Sequence, residues 1–223
     1  MPARTDILTA VMGDLVGSER QADRARLHRI FNEVVDAENQ RDAGRLASPL
    51  TITLGDEFQG LVSTLAEATA LVRRLRLTLL AADVECRFAI GRVMLSSPVN
   101  PERAWNMMWE GLAETRDRLN EKSRSTAYRF HLGFGADPVL ERLMDAVGSA
   151  LTQAERRWTM RQRTVMLPLL AQGQSVEGLS EDLGVTPRAV YKIRDAADYD
   201  AYRSWWEDLE AAAIALDQRG RTP

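Results

Sequence analysis

Two short segments carry acids and small residues in patterns suited to phosphate and metal chemistry. "GDLVGS" places Asp14 at the end of an apolar run, followed by Leu15, Val16, Gly17 and Ser18. "LGDEFQG", residues 54–60, sets Asp56 beside Glu57 in an otherwise strand-like stretch. A carboxylate in such a stretch loses hydration and needs compensation, whether from a salt bridge, a turn open to water or a metal ion. Two carboxylates brought together repel unless protonated or bridged by a cation. Hard oxygen ligands suit Mg²⁺ or Mn²⁺, which keep several waters and take up substrate phosphates. The backbone from Leu15 to Ser18 leads into an expected helix N-terminus, where free N–H groups and the helix dipole favour a phosphate. Metal ions beside a phosphate cradle are the machinery of displacement at phosphorus. Asp14 and Asp56 are therefore candidate metal ligands, Glu57 a candidate ligand or base, and Leu15, Val16, Gly17 and Ser18 a candidate phosphate-facing turn. The plain alternative makes Asp14 a turn cap, Gly55-Asp56 a hairpin turn and Glu57 a solvated side chain.

The elements that must position these residues follow from hydrophobic period. "DILTAVMGDLVGS" reads as a buried strand. Leu27, Ile30, Phe31, Val34 and Val35 repeat at helical spacing, with Ser18 and Gln21 set as a capping box. "LTITLGDEFQGLV" reads as two strands around a tight turn at Gly55-Asp56, and "TLAEATALVRRLRLTLLAA" as a second amphipathic helix. "VECRFAIGRVML" is a further strand. A third helix is expected from Pro101 through "ERAWNMMWEGLAETRDRL", and "TAYRFHLGFG" is a last strand. The first six elements give βαββαβ, a ferredoxin-like α+β arrangement with helices on one face of an antiparallel sheet. That order brings the first strand beside the hairpin, and so Asp14 toward Asp56. Beyond residue 137 only helical patterns remain. The expected division is a sheet domain over 1–137 and an all-α domain over 138–223.

"VMGDLVGS" followed by "ITLGDEFQGLV" resembles the metal-binding segments of class III nucleotide cyclases and diguanylate cyclases. The chain as a whole resembles the SatD-like family of bacterial proteins, which pairs "GD-(L/I)-V-x-S" with "GDEFQ" and ends in a helix-turn-helix. The resemblance implies a nucleotidyl-cyclase-like fold, Asp14 and Asp56 as the metal pair, and a nucleotide or other phosphorylated ligand. One departure stands out. Class III cyclases carry an Asn and an Arg four residues apart on a later helix, whereas four residues beyond Asn106 is Glu110. Arg87 and Arg92, around "FAIG", are possible phosphate contacts or solvated strand residues. Arg116 and Arg118 are weaker candidates. Trp105 and Trp109, one helical turn apart in the expected third helix, suit core or dimer packing more than base stacking.

"SVEGLSEDLGVTPRAVYKIRDAA", within 175–197, follows a helix-turn-helix pattern. Gly184 is the turn glycine, Thr186 caps the second helix and Pro187 takes its first position. Leu179, Leu183, Val185, Val190 and Ile193 are expected to face inward, leaving Arg188, Tyr191, Lys192 and Arg194 for DNA. Ser180 stands where alanine is usual and is small enough to keep the helices close. Residues 151–223 hold 10 basic and 11 acidic side chains, but 187–194 hold three basic and none acidic. The positive field is thus local to this helix. The alternative is a helical hairpin used for packing or protein contact.

The 223 residues are 45% hydrophobic and 27% charged, with a net charge of −3. That balance gives no global attraction to nucleic acid. No apolar run reaches spanning length, no secretory leader is read at the N-terminus, and one cysteine, Cys86, precludes an internal disulfide. A cytoplasmic protein is expected. The leading functional expectation is a bacterial regulator, homodimeric, that binds a phosphorylated ligand with Mg²⁺ or Mn²⁺ and DNA through the second helix of the pair. The alternatives are a metal-dependent nucleotide cyclase or other phosphoryl-transfer enzyme, and a non-catalytic adaptor.

Overall fold

In the computed structural model of the chain, residues 7–17, 23–53, 55–107, 109–121 and 126–219 are described. Ser18, Gln21 and Leu54 lie outside them. The elements run β1 (Ile7–Leu15), α1 (Arg24–Arg41), β2 (Leu46–Ile52), β3 (Glu57–Val62), α2 (Leu65–Ala81), β4 (Cys86–Leu95), β5 (Trp109–Glu110), α3 (Leu112–Asn120) and β6 (Tyr128–His131). Five helices follow: α4 (Pro138–Arg157), α5 (Met160–Ala171), α6 (Val176–Asp182), α7 (Pro187–Ala196) and α8 (Tyr199–Arg219). No described helix is long and apolar enough to cross a membrane.

The strand order is β2-β3-β1-β4-β5, and β6 pairs with β4 in parallel. Strand β1 is antiparallel to both β3 and β4. Each of the connections through α1 and α2 skips one strand, which is the expected split βαβ arrangement. Side-chain alternation divides the two faces. Val11, Leu15, Phe58, Val62, Phe88 and Ile90 enter the main core with α1 and α2. Ala10, Met12, Leu61, Ala89 and Val93 lie on the opposite face, against Leu112 and Leu119 of α3. The helices therefore cover both faces rather than one.

The third helix is shorter than its sequence pattern implies. Residues 101–107 are not helical, and α3 starts only at Leu112. Asn106 and Gly111 take left-handed backbone, with φ of 56° and 89°, which a right-handed helix cannot run through. At Gly111 a Cβ would also strike the Arg92 carbonyl oxygen. Trp105 sits in the irregular segment and Trp109 in β5, so the two are not a helical turn apart.

Side chains close both long edges of the sheet. Asn39 of α1 donates to the Leu50 carbonyl at 2.9 Å and accepts the Leu50 N–H at 2.8 Å. Along β6, Ala127, Phe130 and Leu132 donate N–H groups to Thr152, Asp145 and Glu141 of α4, at 2.8, 3.0 and 2.8 Å. An edge so occupied cannot pair with another strand.

The main core does not stop at residue 137. It takes in Met144 and Leu151 of α4 and Tyr202, Trp206 and Leu209 of α8, with Trp206 edge-on to Tyr128 at 5.3 Å. Trp206 is thus interior and not available to a dimer surface. Asp217 near the end of α8 accepts the Leu65 and Ala66 N–H groups at the start of α2. Beneath lies a buried polar network. Glu155 binds Arg76 at 2.8 Å and receives hydrogen bonds from the Tyr128 and Tyr202 hydroxyls. Helix α5 packs on α2 and shares a smaller cluster, Val165, Leu169, Leu179 and Val190, with α6 and α7. The C-terminal helices are built onto the sheet half, not set apart from it.

Candidate functional site

Strand register assembles the first candidate site. Glu57, Asp14 and Arg87 are direct neighbours across β3, β1 and β4. Asp14 lies two residues from Met12, so the row shares the face covered by α3. The Leu15 N–H donates to the Asp56 carbonyl at 2.9 Å. The two Gly-Asp segments thus meet at one end of the sheet, as their order in the sequence implied.

For Asp14 and Glu57 the compensation is arginine. Asp14 forms an ion pair with Arg87. Glu57 pairs with Arg116 of α3, with Nη1 3.1 Å from Oε2. Arg116 Nη2 also donates to Gln59 Oε1 at 3.0 Å, while the Gln59 amide donates to the Ala104 carbonyl and so ties down the irregular segment before α3. Arg129 on β6 pairs with Glu121 at 3.2 Å. It lies on the same face as Arg87, since Ala89 is its direct neighbour on β4. Among the described residues, no group of three or more His, Cys, Asp or Glu is arranged to hold a metal ion. Among the described residues, the buried polar atom on this face with neither a hydrogen bond nor an ion-pair contact is a donor, Arg87 Nε, while Arg129 Nε lies 3.2 Å from Glu121 Oε2. Such a donor suits an anion and offers nothing to a cation. As arranged, these residues do not fit Mg²⁺ or Mn²⁺.

The expected phosphate-facing turn is largely spoken for. The Leu15 side chain is in the main core, and its N–H serves Asp56. The Val16 N–H donates to the Glu85 carbonyl at 2.9 Å. Gly17 has left-handed backbone, φ 74°. Helix α1 begins six residues later than Ser18, at Arg24, and the Asp23 carboxylate caps it by accepting the Arg26 N–H at 2.8 Å. An anionic cap already occupies the helix end that was to attract phosphate. Arg92 points into the other face and is buried, where desolvation lowers its pKa and Asp217 opposes that shift. Arg118 is taken up by Asp145, Glu121 and the Phe130 carbonyl.

At the second candidate site, α6 and α7 flank a turn with Gly184 at φ 63°. Thr186 caps α7 by accepting the Ala189 N–H, and Pro187 opens it. Val190 and Leu179 are buried, and Val185 and Ile193 pack against them. Ser180 is buried too, with its hydroxyl donating to the Glu177 carbonyl. Leu183, expected inside, is 43% exposed. Arg188, Tyr191 and Lys192 are exposed, and among the described residues Arg188 and Lys192 have no acidic partner. Arg194 differs. Its guanidinium lies over Tyr191 and Tyr199, 4.9 and 5.1 Å from the ring centres, and pairs with Asp195 and Asp200. It holds α7 to α8 rather than facing outward. Arg161 of α5 comes beside Lys192 across a cleft of about 350 Å³ also lined by Thr159, Gln162, Ala189 and Ile193. Arg161 lies outside the motif, so nothing in the local pattern could single it out.

The SatD family model matches residues 8–192. The chain belongs to the SatD family. The match runs from β1 into α7 and so takes in both candidate sites. Solved structures similar to this SatD-family chain include a bacterial light-regulated adenylyl cyclase, at 12% identity over 56% of this chain and 42% of that one, TM-score 0.39. The guanylyl cyclase Cya2 matches at 13% identity over 56% and 74%, TM-score 0.39. The monomeric guanylyl cyclase domain of the RhoGC fusion protein from the aquatic fungus Blastocladiella emersonii matches at 15% identity over 58% and 81%, TM-score 0.40. This chain spans less than half the length of the first of these. No curated protein matches the chain.

Proposed function

We propose that this SatD-family protein is a DNA-binding regulator whose sheet half receives a phosphorylated small molecule. The observation that carries the DNA half is the outer face of α7, where Arg188 and Lys192 project without an acidic partner among the described residues, beside exposed Tyr191. The two cations lie four positions apart and so share one face of α7. Groove-reading helices pair phosphate contacts with base contacts in this way. Arg161 extends the basic edge beyond α7. A homodimer belongs to this reading, because helix-turn-helix proteins read paired half-sites; light scattering at micromolar concentration checks it.

A selection from random DNA, repeated with Arg188→Ala/Lys192→Ala, tests the proposal. An enriched sequence that the double variant fails to enrich is the expected result. No enrichment, or equal enrichment by the variant, retires α7 as a reader and favours the adaptor reading. The ligand half is tested by hydrogen exchange: phosphorylated ligands should slow exchange in peptides around residues 12–17 and 55–60. A phosphoryl-transfer enzyme is less favoured, because Asp14 and Glu57 are both held in ion pairs.

A further inference from the structure

Positive charge in the helical half is not confined to α7. From residue 156 to residue 176 the sequence holds four arginines and no acid. Arg157 lies 3.7 Å from Asp198, and Arg163 is spent on Asp83 at 2.9 Å. Arg156 and Arg161 are exposed and have no acidic partner among the described residues. Of these two, Arg161 lines the cleft between α5 and α7 together with Lys192, and Arg156 does not. No carboxylate lines that cleft; Ala189, Ile193 and Ala196 give it small or apolar walls that offer the two cations no side-chain acceptor. Its sides are tied to one another. The Gln162 amide donates to the Ala196 carbonyl at 2.8 Å, and the Trp158 indole N–H donates to the Ala197 carbonyl at 2.9 Å. Val165 and Leu169 of α5 share a core with Val190 of α7. The start of α5 is therefore fixed against α7, and Arg161 against Lys192.

We infer that the cleft between α5 and α7 seats one strand of the DNA sugar-phosphate backbone, with Arg161 and Lys192 as its phosphate contacts. This rests on the proposal that α7 reads DNA, and it adds α5 to the interface. Like charges beside one gap repel, and a phosphate between them relieves that repulsion. The cleft is continuous with the exposed face of α7, because Lys192 belongs to both, so a strand that crosses α7 meets Arg161 next. A guanidinium suits phosphate through its fixed fork of donors. Contacts of this kind set the register and orientation of a protein on the duplex and carry no sequence information of their own. Loss of Arg161 therefore has a signature that loss of a base-reading residue lacks: every sequence is bound more weakly, the dependence on salt falls, and the preferred sequence stays the same.

The test uses the full-length chain and two duplexes, one carrying the sequence enriched from random DNA and one scrambled, with Kd measured between about 50 and 200 mM KCl. Arg161→Gln should weaken both duplexes alike and flatten the plot of log Kd against log salt by about 0.9, the loss of one phosphate contact. Arg161→Lys, which keeps the charge, should retain the slope. Arg156→Gln removes the same charge outside the cleft and should leave the slope unchanged. A repeated selection with Arg161→Gln should return the wild-type sequence. Unchanged affinity and slope in Arg161→Gln overturn the inference while α7 remains a reader. An equal effect of Arg156→Gln overturns it as diffuse charge. A changed preferred sequence at unchanged slope overturns it by making Arg161 a base contact. No sequence enriched by the wild-type chain removes the DNA proposal itself, and the inference with it.

Discussion

Glu155 shows how a single buried charge is held. It is fully buried, as are Arg76, Tyr128 and Tyr202, whose donors converge on it. Removing one partner of such a pair strands the other charge in a low-dielectric interior, at a typical cost of about 3–5 kcal/mol. Glu155→Ala should therefore lower stability by about that amount. Arg76→Met made in the same chain should cost much less than the sum of the two single changes, because neither charge is then stranded. Urea denaturation of the four proteins of this cycle measures the coupling. None of this network was legible in the sequence. Glu155 and Arg76 are 79 positions apart and sit in helices rich in other charges. The Asp14–Arg87 pair was hidden for the same reason. "GDLVGS" announces an acid in need of a partner, but only the register of β1 against β4 says which side chain answers.

At the scale of elements, local chemistry was legible wherever the local signal had no competitor. Gly184, Thr186 and Pro187 act on their own immediate backbone, and the turn and cap they imply are found. The same holds for the strand order around β1, where apolar runs and Gly-Asp turns leave few pairings. The third helix failed for a physical reason. "AWNMMWEGL" has apolar residues at helical spacing, but Gly111 must let the chain pass against the Arg92 carbonyl, a contact that no local pattern encodes. The two glycines make opposed predictions. At Gly184 a Cβ meets nothing within 4 Å, so Gly184→Ala costs only left-handed strain, about 1 kcal/mol. Gly111→Ala adds a backbone collision and should cost at least twice as much and loosen α3. Chemical denaturation of both variants gives the difference. Loss of Arg116 from Glu57 in Gly111→Ala should also speed hydrogen exchange in the 57–60 peptide, while Gly184→Ala leaves that peptide unchanged.

For the whole molecule, the decisive feature is one core shared by the sheet and the last helices. Trp206 and Tyr202 of α8 fill the space behind Tyr128 of β6, and Asp217 caps α2. Residues 1–137 alone would expose that surface, so they should not fold when expressed separately, and the full chain should unfold in one transition by tryptophan fluorescence and by circular dichroism. The same shared core sets the response to alkali. Burial, reinforced by the Glu155 charge, raises the pKa of Tyr128 and of Tyr202 well above the ordinary 10.0. Unfolded, both hydroxyls ionise near 10. Folded, they remain protonated. Below pH 10 both states hold these protons and the full stability is present. Above it only the unfolded state releases them, so stability falls by about 1.4 kcal/mol per pH unit for each tyrosine. The urea midpoint should therefore hold between pH 8 and 9.5 as far as these groups are concerned, then drop steeply. Tyr128→Phe/Tyr202→Phe should flatten the drop even though it weakens the protein at neutral pH. Equal alkaline slopes in the two proteins would mean that the hydroxyls ionise without unfolding and that this junction between β6, α4 and α8 is open to solvent.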